Sequence, residues 1–300
     1  MKTGAAFILW LLLVAGAVGH HGPEEVIAEL TSLVALRPGD VDLLSRRATE
    51  YRALGMHAKA EADLRRVILV HPESGAETES LARVLWAQDK RGEAMRMVRR
   101  AVELAQPGRE RGAVLILKAE WELARDTLNA AMRTCQRAFE EDPAGMVDWY
   151  LLRGRVEEQM GTWRERVAGL KAGYEALGSV VLRNAWVDAS IDAGMFAAVT
   201  PVIEAELERA RLKSTWLIRR GRVRLGTDAK EEGWSDLRAA IAELDRRIHP
   251  ARPDAKLLVD RGWAKLWIGE AAAARADLVL ARKHGGDPWE TARLAGALGP

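Results

Sequence analysis

The sequence predicts an all-α protein built from repeated pairs of antiparallel helices. A small residue recurs about every 34 positions, and helix-breaking residues recur between these positions. The apolar residues between the breakers follow the spacing of one helix face. Because 48% of its 300 residues are hydrophobic, the chain can bury a sizeable core.

Four segments show the repeat most clearly: residues 43–55, 150–161, 216–226 and 257–269. Each contains apolar residues, then an arginine, a small residue and a helical stretch that ends at glycine. The recurring position needs a small side chain because the paired helix crosses closely there. A unit with valine at that position therefore departs from the repeat pattern. Along the chain the position holds Ala48, Ala82, Ala119, Gly154, Val187, Gly221 and Gly262, at intervals of 34, 37, 35, 33, 34 and 41.

A second helix follows each of these first helices. Small or short residues recur seven positions apart on it, which places both on one helical face. Such pairs are Ala60 with Val67, Ala94 with Ala101, Ala131 with Ala138, Gly233 with Ala240, and Ala274 with Ala281. The expected breaks between units are Pro38, Pro72, Pro107, Pro143, Gly178 and Pro250.

These residues resemble the tetratricopeptide repeat (TPR) family. The resemblance covers residues 41–284 as about seven units and implies a right-handed α-solenoid with terminal capping helices. The fifth unit, residues 180–212, departs from the pattern at Val187. Residues 20–40 form a leader and an N-terminal capping helix over 23–37, and residues 285–300 form a C-terminal capping helix that Asp287-Pro288 can start.

The N-terminus is typical of a secretory signal peptide. Lys2 precedes an uncharged stretch over residues 4–19, which ends in small residues suited to cleavage. Sixteen apolar residues are fewer than the roughly 20 that a membrane-spanning helix needs. We therefore expect residues 1–19 to be cleaved, no stable membrane insertion afterwards, and a periplasmic or extracellular protein; an uncleaved membrane anchor is the alternative. With this leader, the pattern resembles exported repeat proteins of Gram-negative bacteria.

Composition and motifs exclude several function classes. The 45 basic and 43 acidic residues leave a net charge of +2, which argues against nucleic-acid binding through bulk charge. The sequence has no zinc-protease motif, nucleophile elbow, phosphate-binding loop or dinucleotide fingerprint. We therefore predict a protein that is not an enzyme and that needs no cofactor.

Cysteine and most of the tryptophans are assigned to packing. Cys135, the single cysteine, stands at helical spacing from Ala131 and Ala138, so we expect it to be a small buried side chain. The eleven tryptophans should mostly pack between helices. Trp149 and Trp163 are expected to be partly exposed.

The resemblance also places a ligand groove. In TPR families the first helix of each unit lines the concave groove, which puts the residue after each small position in it, and the residue three further on. The positions directly after the recurring small position include Asp188, and the positions three residues further on include Glu158 and Ile191. The candidates for partner binding are Arg52, Arg83, Trp86, Arg155, Arg222 and Trp263. Arginine and tryptophan dominate binding hot spots, and guanidinium groups favour an acidic segment or a carboxylate.

The sequence therefore predicts an exported, non-catalytic scaffold that binds a protein or peptide partner. The alternative is a periplasmic metal-handling accessory protein that uses His20 and His21. Signal cleavage after Ala17 or Val18 would leave a histidine within the first three residues of the mature chain. Its imidazole, the new amine and two amides could bind Cu(II) in a square plane.

The copper hypothesis makes a direct prediction for the exported chain. N-terminal sequencing should show a chain that begins at Val18 or Gly19, and Cu(II) titration should then produce a visible d–d band. Cleavage after Gly19 would instead leave His20 and His21 as the first two residues. No visible d–d band on adding Cu(II) would end the hypothesis.

Overall fold

The computed structural model describes residues 22–299, which form sixteen helices. Contacts divide the chain after Gly145 into an N-terminal block and a C-terminal block. The N-terminal block contains α1 (Pro23–Leu36), α2 (Val41–Ala53), α3 (His57–Val70), α4 (Gly75–Ala87), α5 (Arg91–Leu104), α6 (Arg109–Ala124) and α7 (Leu128–Glu141). The C-terminal block contains α8 (Val147–Met160), α9 (Trp163–Leu177), α10 (Val180–Asp192), α11 (Phe196–Arg209), α12 (Ser214–Leu225), α13 (Lys230–Arg247), α14 (Ala255–Trp267), α15 (Ala271–Lys283) and α16 (Pro288–Leu298).

Consecutive helices pair within each block, which confirms the predicted all-α class and the two-helix repeat. Three pairs, α2–α3, α4–α5 and α6–α7, follow α1 in the N-terminal block. Four pairs, α8–α9, α10–α11, α12–α13 and α14–α15, precede α16 in the C-terminal block. We number these seven pairs as repeats one to seven. Helix α1 packs on α2, and α16 packs on α14 and α15.

The recurring small residues lie where paired helices cross. Ala48, Ala82 and Ala119 are buried in α2, α4 and α6 against their partner helices. The approach is close in repeat six, where a Cβ on Gly221 would lie 3.0 Å from the carbonyl oxygen of Gly233. A Cβ on Gly233 would in turn lie 2.9 Å from the carbonyl oxygen of Gly221. The sequence interval near 34 therefore marks the crossing point of each pair.

Repeat five is the most loosely paired of the seven. Val187 is fully buried at the crossing position, and its branched side chain occupies space that a glycine or alanine leaves to the partner helix. Pro201 lies inside α11 and removes one helical hydrogen bond there. Helix α10 accordingly packs more extensively on α9 than on α11.

The predicted breaks fall between helices, and polar caps start several of the helices that follow. Pro38, Pro72, Pro107, Pro143, Gly178 and Pro250 all lie outside the helical segments. Side chains of Asp40, Ser179, Asp254 and Asp287 accept hydrogen bonds from the first turns of α2, α10, α14 and α16.

The packing assignments are confirmed with one exception. Cys135 is buried in α7, and Trp121, Trp186 and Trp216 are buried between helices. Trp163 is 40% exposed, as expected, but the expected exposure of Trp149 is wrong because only 1% of it is accessible.

The arginine before the small residue holds three helices together in repeats one, six and seven. Arg220 donates hydrogen bonds from Nε and Nη2 to Asp236 on α13, at 2.9 and 2.7 Å, and from Nη1 to Glu204 on α11, at 3.2 Å. The acceptors lie 16 residues after and 16 residues before the arginine. The same arrangement joins Arg47 to Asp63 and Thr31, and Arg261 to Asp277 and Asp245. We call Arg47, Arg220 and Arg261 the arginine clamps.

Each clamp has one buried acceptor in its own repeat and one more exposed acceptor in the preceding helix. Asp277 is 3% exposed and also accepts from Lys265 at 2.9 Å, whereas Asp245 is 53% exposed. A bidentate arginine–carboxylate pair fixes both distance and orientation. The clamps therefore set the register of the first helix against the two helices beside it.

We expect Asp277→Ala to lower the free energy of unfolding by about 3–5 kcal/mol, because it leaves the Arg261 guanidinium without its buried partner. The matched control is Asp245→Ala, which removes the exposed acceptor of the same arginine and should cost less than about 1 kcal/mol. Thermal and urea unfolding of both variants measure the difference. Equal losses in the two variants would contradict the role given to the buried pair.

Candidate functional site

The C-terminal block encloses a cavity of about 640 Å³, which we call the C-terminal cavity. Its walls come from α10, α12 and α14, the first helices of repeats five to seven, and from the start and one face of α16. The turn at Gly285 and Gly286, just before α16, completes the wall. The cavity therefore lies on the helices that the TPR resemblance assigns to ligand binding.

Two arginines of α12 are bound to two aspartates of α10 in this wall. Arg219 donates from Nε and Nη2 to Asp188, at 2.9 and 2.7 Å, and its guanidinium lies 4.4 Å from the ring centroid of Trp216. Arg222 donates to Asp192 and lies 3.8 Å from Asp188. Burial raises the pKa of Asp188, but the Arg219 guanidinium outweighs this effect and holds the pKa below its usual range.

The C-terminal helix contributes a third arginine that reaches distant repeats. Arg293 of α16 forms an ion pair with Glu158 of α8 at 2.7 Å and donates a hydrogen bond to Asp192 of α10 at 3.3 Å. Arg166 of α9 binds the same two carboxylates, at 2.9 and 3.0 Å. Helix α16 is thus part of the site as well as a cover for the last repeat.

Two tryptophans of α14 form an aromatic part of the wall. Trp263 and Trp267 stack with centroids 5.2 Å apart and an interplanar angle of 23°. The Arg222 guanidinium lies 4.7 Å from the centroid of Trp267, and that of Arg293 lies 5.9 Å from the centroid of Trp263. Cation–π contacts therefore complement the ion pairs on these two arginines.

Four further carboxylates line the cavity. Asp254 and Asp287 cap α14 and α16 through main-chain N–H groups. Asp260 has Lys256 at 3.1 Å, and Glu290 has Arg293 at 3.8 Å. Burial raises the pKa of both Asp260 and Glu290, and these neighbouring cations offset it only in part.

The predicted groove residues fall in separate places. Arg222 and Trp263 line the C-terminal cavity, whereas Arg155, half-buried in α8 of the same block, does not. In the N-terminal block, Arg52 and Arg83 line a shallow pocket, and Arg83 pairs with Glu79 at 2.7 Å.

Trp86 belongs to an aromatic stack in the N-terminal block. Its ring lies parallel to that of Trp121, with centroids 4.5 Å apart and an interplanar angle of 3°. The guanidinium of Arg91 lies 3.9 Å from the Trp86 centroid. Much of the Trp86 ring is therefore used in packing.

Sequence reasoning missed Arg219 and Arg293. Arg219 was hidden because it precedes the clamp arginine by one position, on a face that periodicity assigns to packing. Arg293 had a usable signal: it follows Ala292 as Arg222 follows Gly221 and Arg83 follows Ala82. Treating the C-terminal helix only as a cap overlooks that signal.

His20 and His21 lie outside the described residues, so the copper hypothesis stays a prediction. Within residues 22–299 no group of three or more histidine, cysteine, aspartate or glutamate side chains is arranged to hold a metal ion. In the same range no helix is both long and apolar enough to cross a membrane.

The fold matches solved TPR structures. A tetratricopeptide repeat protein from Parabacteroides merdae aligns over 86% of this chain and 98% of its own, with 17% identity and a TM-score of 0.62, which shows a shared fold. PilF of Pseudomonas aeruginosa aligns over 84% of this chain and 95% of its own, with 12% identity and a TM-score of 0.47. YrrB, described as a TPR protein with an unusual peptide-binding site, aligns over 71% of this chain and 91% of its own, with 13% identity and a TM-score of 0.42. No protein-family model matches the chain, and no curated protein is similar to it in sequence.

Glu157, next to Glu158 on α8, gives the block a pH-dependent stability. It is 6% exposed, and burial raises its pKa to about 7 although Arg153 lies 3.3 Å away. The folded state therefore favours the protonated carboxyl of Glu157. The contribution of this group to the free energy of unfolding is fully present below its unfolded pKa near 4.5, and it is lost as the pH rises through 7.

We therefore expect Glu157→Gln to raise the free energy of unfolding at pH 8, on the order of 3 kcal/mol, and to change it little at pH 4.5. Thermal unfolding between pH 4.5 and 8 measures this difference. The control is Glu158→Gln, which weakens two ion pairs and should lower stability at pH 8. A Glu157→Gln variant with the same pH profile as the unmodified chain would show that the carboxyl ionises normally.

Proposed function

We propose that this chain is an exported, non-catalytic TPR scaffold that binds an extended segment of a partner protein in the C-terminal cavity. The observation that carries the proposal is the combination of Trp263, Trp267 and paired charges on the first helices of consecutive repeats. Aromatic surface supplies binding energy, and fixed polar groups orient a ligand. Export is inferred from the signal-like leader alone.

The size of the cavity suits a short segment of chain. Ligand pockets are typically about 300–1,000 Å³, and the C-terminal cavity lies within that range at about 640 Å³. An extended segment can place a few side chains in such a space. A whole helix about 10–12 Å across would need a longer open groove.

The lining residues favour binding over catalysis. The cavity wall, as far as the structure describes it, contains no serine, cysteine or histidine. Its arginines are held by carboxylates within the wall, which fixes their positions. Such a wall can orient a ligand through groups of fixed position.

The proposal predicts that filling the cavity abolishes peptide binding. Ala255, half-buried at the first position of α14, lines the cavity, so Ala255→Trp would place an indole in it. The matched control is Ala272→Trp, at the exposed second position of α15 and outside the cavity. Selection from a displayed library of random peptides of mixed charge, followed by titration calorimetry on the enriched sequences, measures binding to each variant.

We expect enriched peptides to bind the unmodified chain and Ala272→Trp alike, and to lose at least ten-fold in affinity for Ala255→Trp. Circular dichroism of both variants confirms that the helices are kept. Peptides that bind Ala255→Trp as well as the control would place recognition elsewhere, and a library with no enriched sequence would count against a peptide-binding scaffold altogether.

A further inference from the structure

Acidic side chains outnumber basic ones in the wall of the C-terminal cavity. Six carboxylates line it, against three arginines and one lysine. Arg219 is bound to Asp188, and Arg222 and Arg293 are both bound to Asp192. Each guanidinium already has a carboxylate partner, so an acidic ligand would have to compete with the wall itself.

Asp260 and Glu290 are the carboxylates of this wall whose negative charge is least balanced by neighbouring cations. Asp260 is 21% exposed, and its partner Lys256 is a rim side chain that is 75% exposed. Glu290 is 49% exposed and has Arg293 only at 3.8 Å, while Arg293 makes shorter contacts to Glu158 and Asp192. Both carboxylates are close enough to Asp188 to be repelled by its charge. The wall therefore has negative charge that the fold does not neutralise.

The wall also has unused hydrogen-bonding capacity behind this surface. Arg219 is 6% exposed, and its Nη1 has no hydrogen-bond acceptor among the residues that the structure describes. A buried donor without an acceptor costs free energy that a ligand can recover if the wall adjusts to it. Main-chain carbonyl groups of a peptide are acceptors of this kind.

The cavity already accommodates basic side chains of its own chain. Arg293 enters from α16, lies 5.9 Å from the Trp263 centroid and is held by carboxylates of α8 and α10. Arg222 lies 4.7 Å from the Trp267 centroid and binds Asp192. A carboxylate together with an indole face is therefore the arrangement by which this wall holds a cation.

We propose that the C-terminal cavity selects a segment of a partner protein through a lysine or arginine side chain, which Asp260 and Glu290 bind beside Trp263. This inference rests on the proposed function and reverses, for this cavity, the acidic partner that the sequence favoured. The incoming cation replaces Lys256 at Asp260. The Lys256 ammonium then returns to water, where an exposed lysine is well hydrated.

A substitution at Lys256 distinguishes a basic ligand from an acidic one. A basic ligand competes with Lys256 for Asp260, so Lys256→Gln should strengthen its binding. An acidic ligand would be attracted by Lys256, so the same variant should weaken its binding. Lys171→Gln is the matched control, because Lys171 is also exposed and pairs with a carboxylate four residues on, but does so on α9, outside the cavity.

The experiment uses the purified chain and four capped pentapeptides, alanine throughout except for a central arginine, lysine, glutamine or glutamate. NMR titration of the tryptophan indole N–H signals measures binding, with Trp263→Phe to assign the Trp263 signal. We expect the arginine and lysine peptides to bind at least ten-fold more tightly than the glutamine peptide, and the glutamate peptide to bind least. Asp260→Asn should remove most of this preference, and Lys256→Gln should increase affinity for the basic peptides several-fold.

Three outcomes would overturn the inference. Equal binding of the arginine and glutamine peptides, or no binding of any of the four, would show that the cavity does not select a cation. Tighter binding of the glutamate peptide, with a loss on Lys256→Gln, would identify an acidic ligand. In each case the proposed function stands or falls separately, since the mixed-charge library and Ala255→Trp test it without assuming a charge.

Discussion

The pairing of an arginine with a buried carboxylate 16 residues later is the interaction on which the repeat geometry depends. A first helix and a second helix could slide past each other along their alanine and glycine surfaces, because small side chains interlock weakly. The clamps at Arg47, Arg220 and Arg261 remove this freedom with bidentate bonds to Asp63, Asp236 and Asp277. Each arginine also contacts a residue 16 positions earlier, and this contact holds the preceding helix in place.

The C-terminal cavity uses the same chemistry on the opposite side of the first helices. On α12, the clamp Arg220 faces α11 and α13, while its neighbours Arg219 and Arg222 face α10. Because the clamp fixes the rotation of α12, it also fixes where these two arginines lie. Positions in the wall are therefore determined by the same contacts that hold the repeats together.

The sequence predicted the repeat because the crossing of paired helices demands a small residue at a regular interval. That demand is local, so Ala48, Gly154 and Gly262 were sufficient to locate first helices from the order of residues alone. The prolines at positions 38, 72, 107 and 143 marked the breaks for the equally local reason that proline cannot continue a helix.

The site was predictable only in part, because its contacts are long-range. Arg222 and Trp263 could be placed on the groove side from their position in the repeat, and both line the cavity. The partners of Arg222 could not, since Asp192 lies in another repeat and its pairing depends on the packing of three helices. The ion pair between Arg293 and Glu158 joins residues 135 positions apart, and no repeat interval in the sequence predicts it.

The bonds from Arg293 to Glu158 and Asp192 also change how the C-terminal block should fold. In an ideal repeat array each unit contacts only its neighbours, so unfolding can begin at either end and spread one unit at a time. Arg293 instead joins the last helix to the first helix of the block and to α10, across the intervening repeats. Fraying at the C-terminus must then break contacts of the fourth and fifth repeats at the same moment. The loosely paired fifth repeat is thereby included in a larger cooperative unit, and a higher contact order, with slower folding, is the physical consequence.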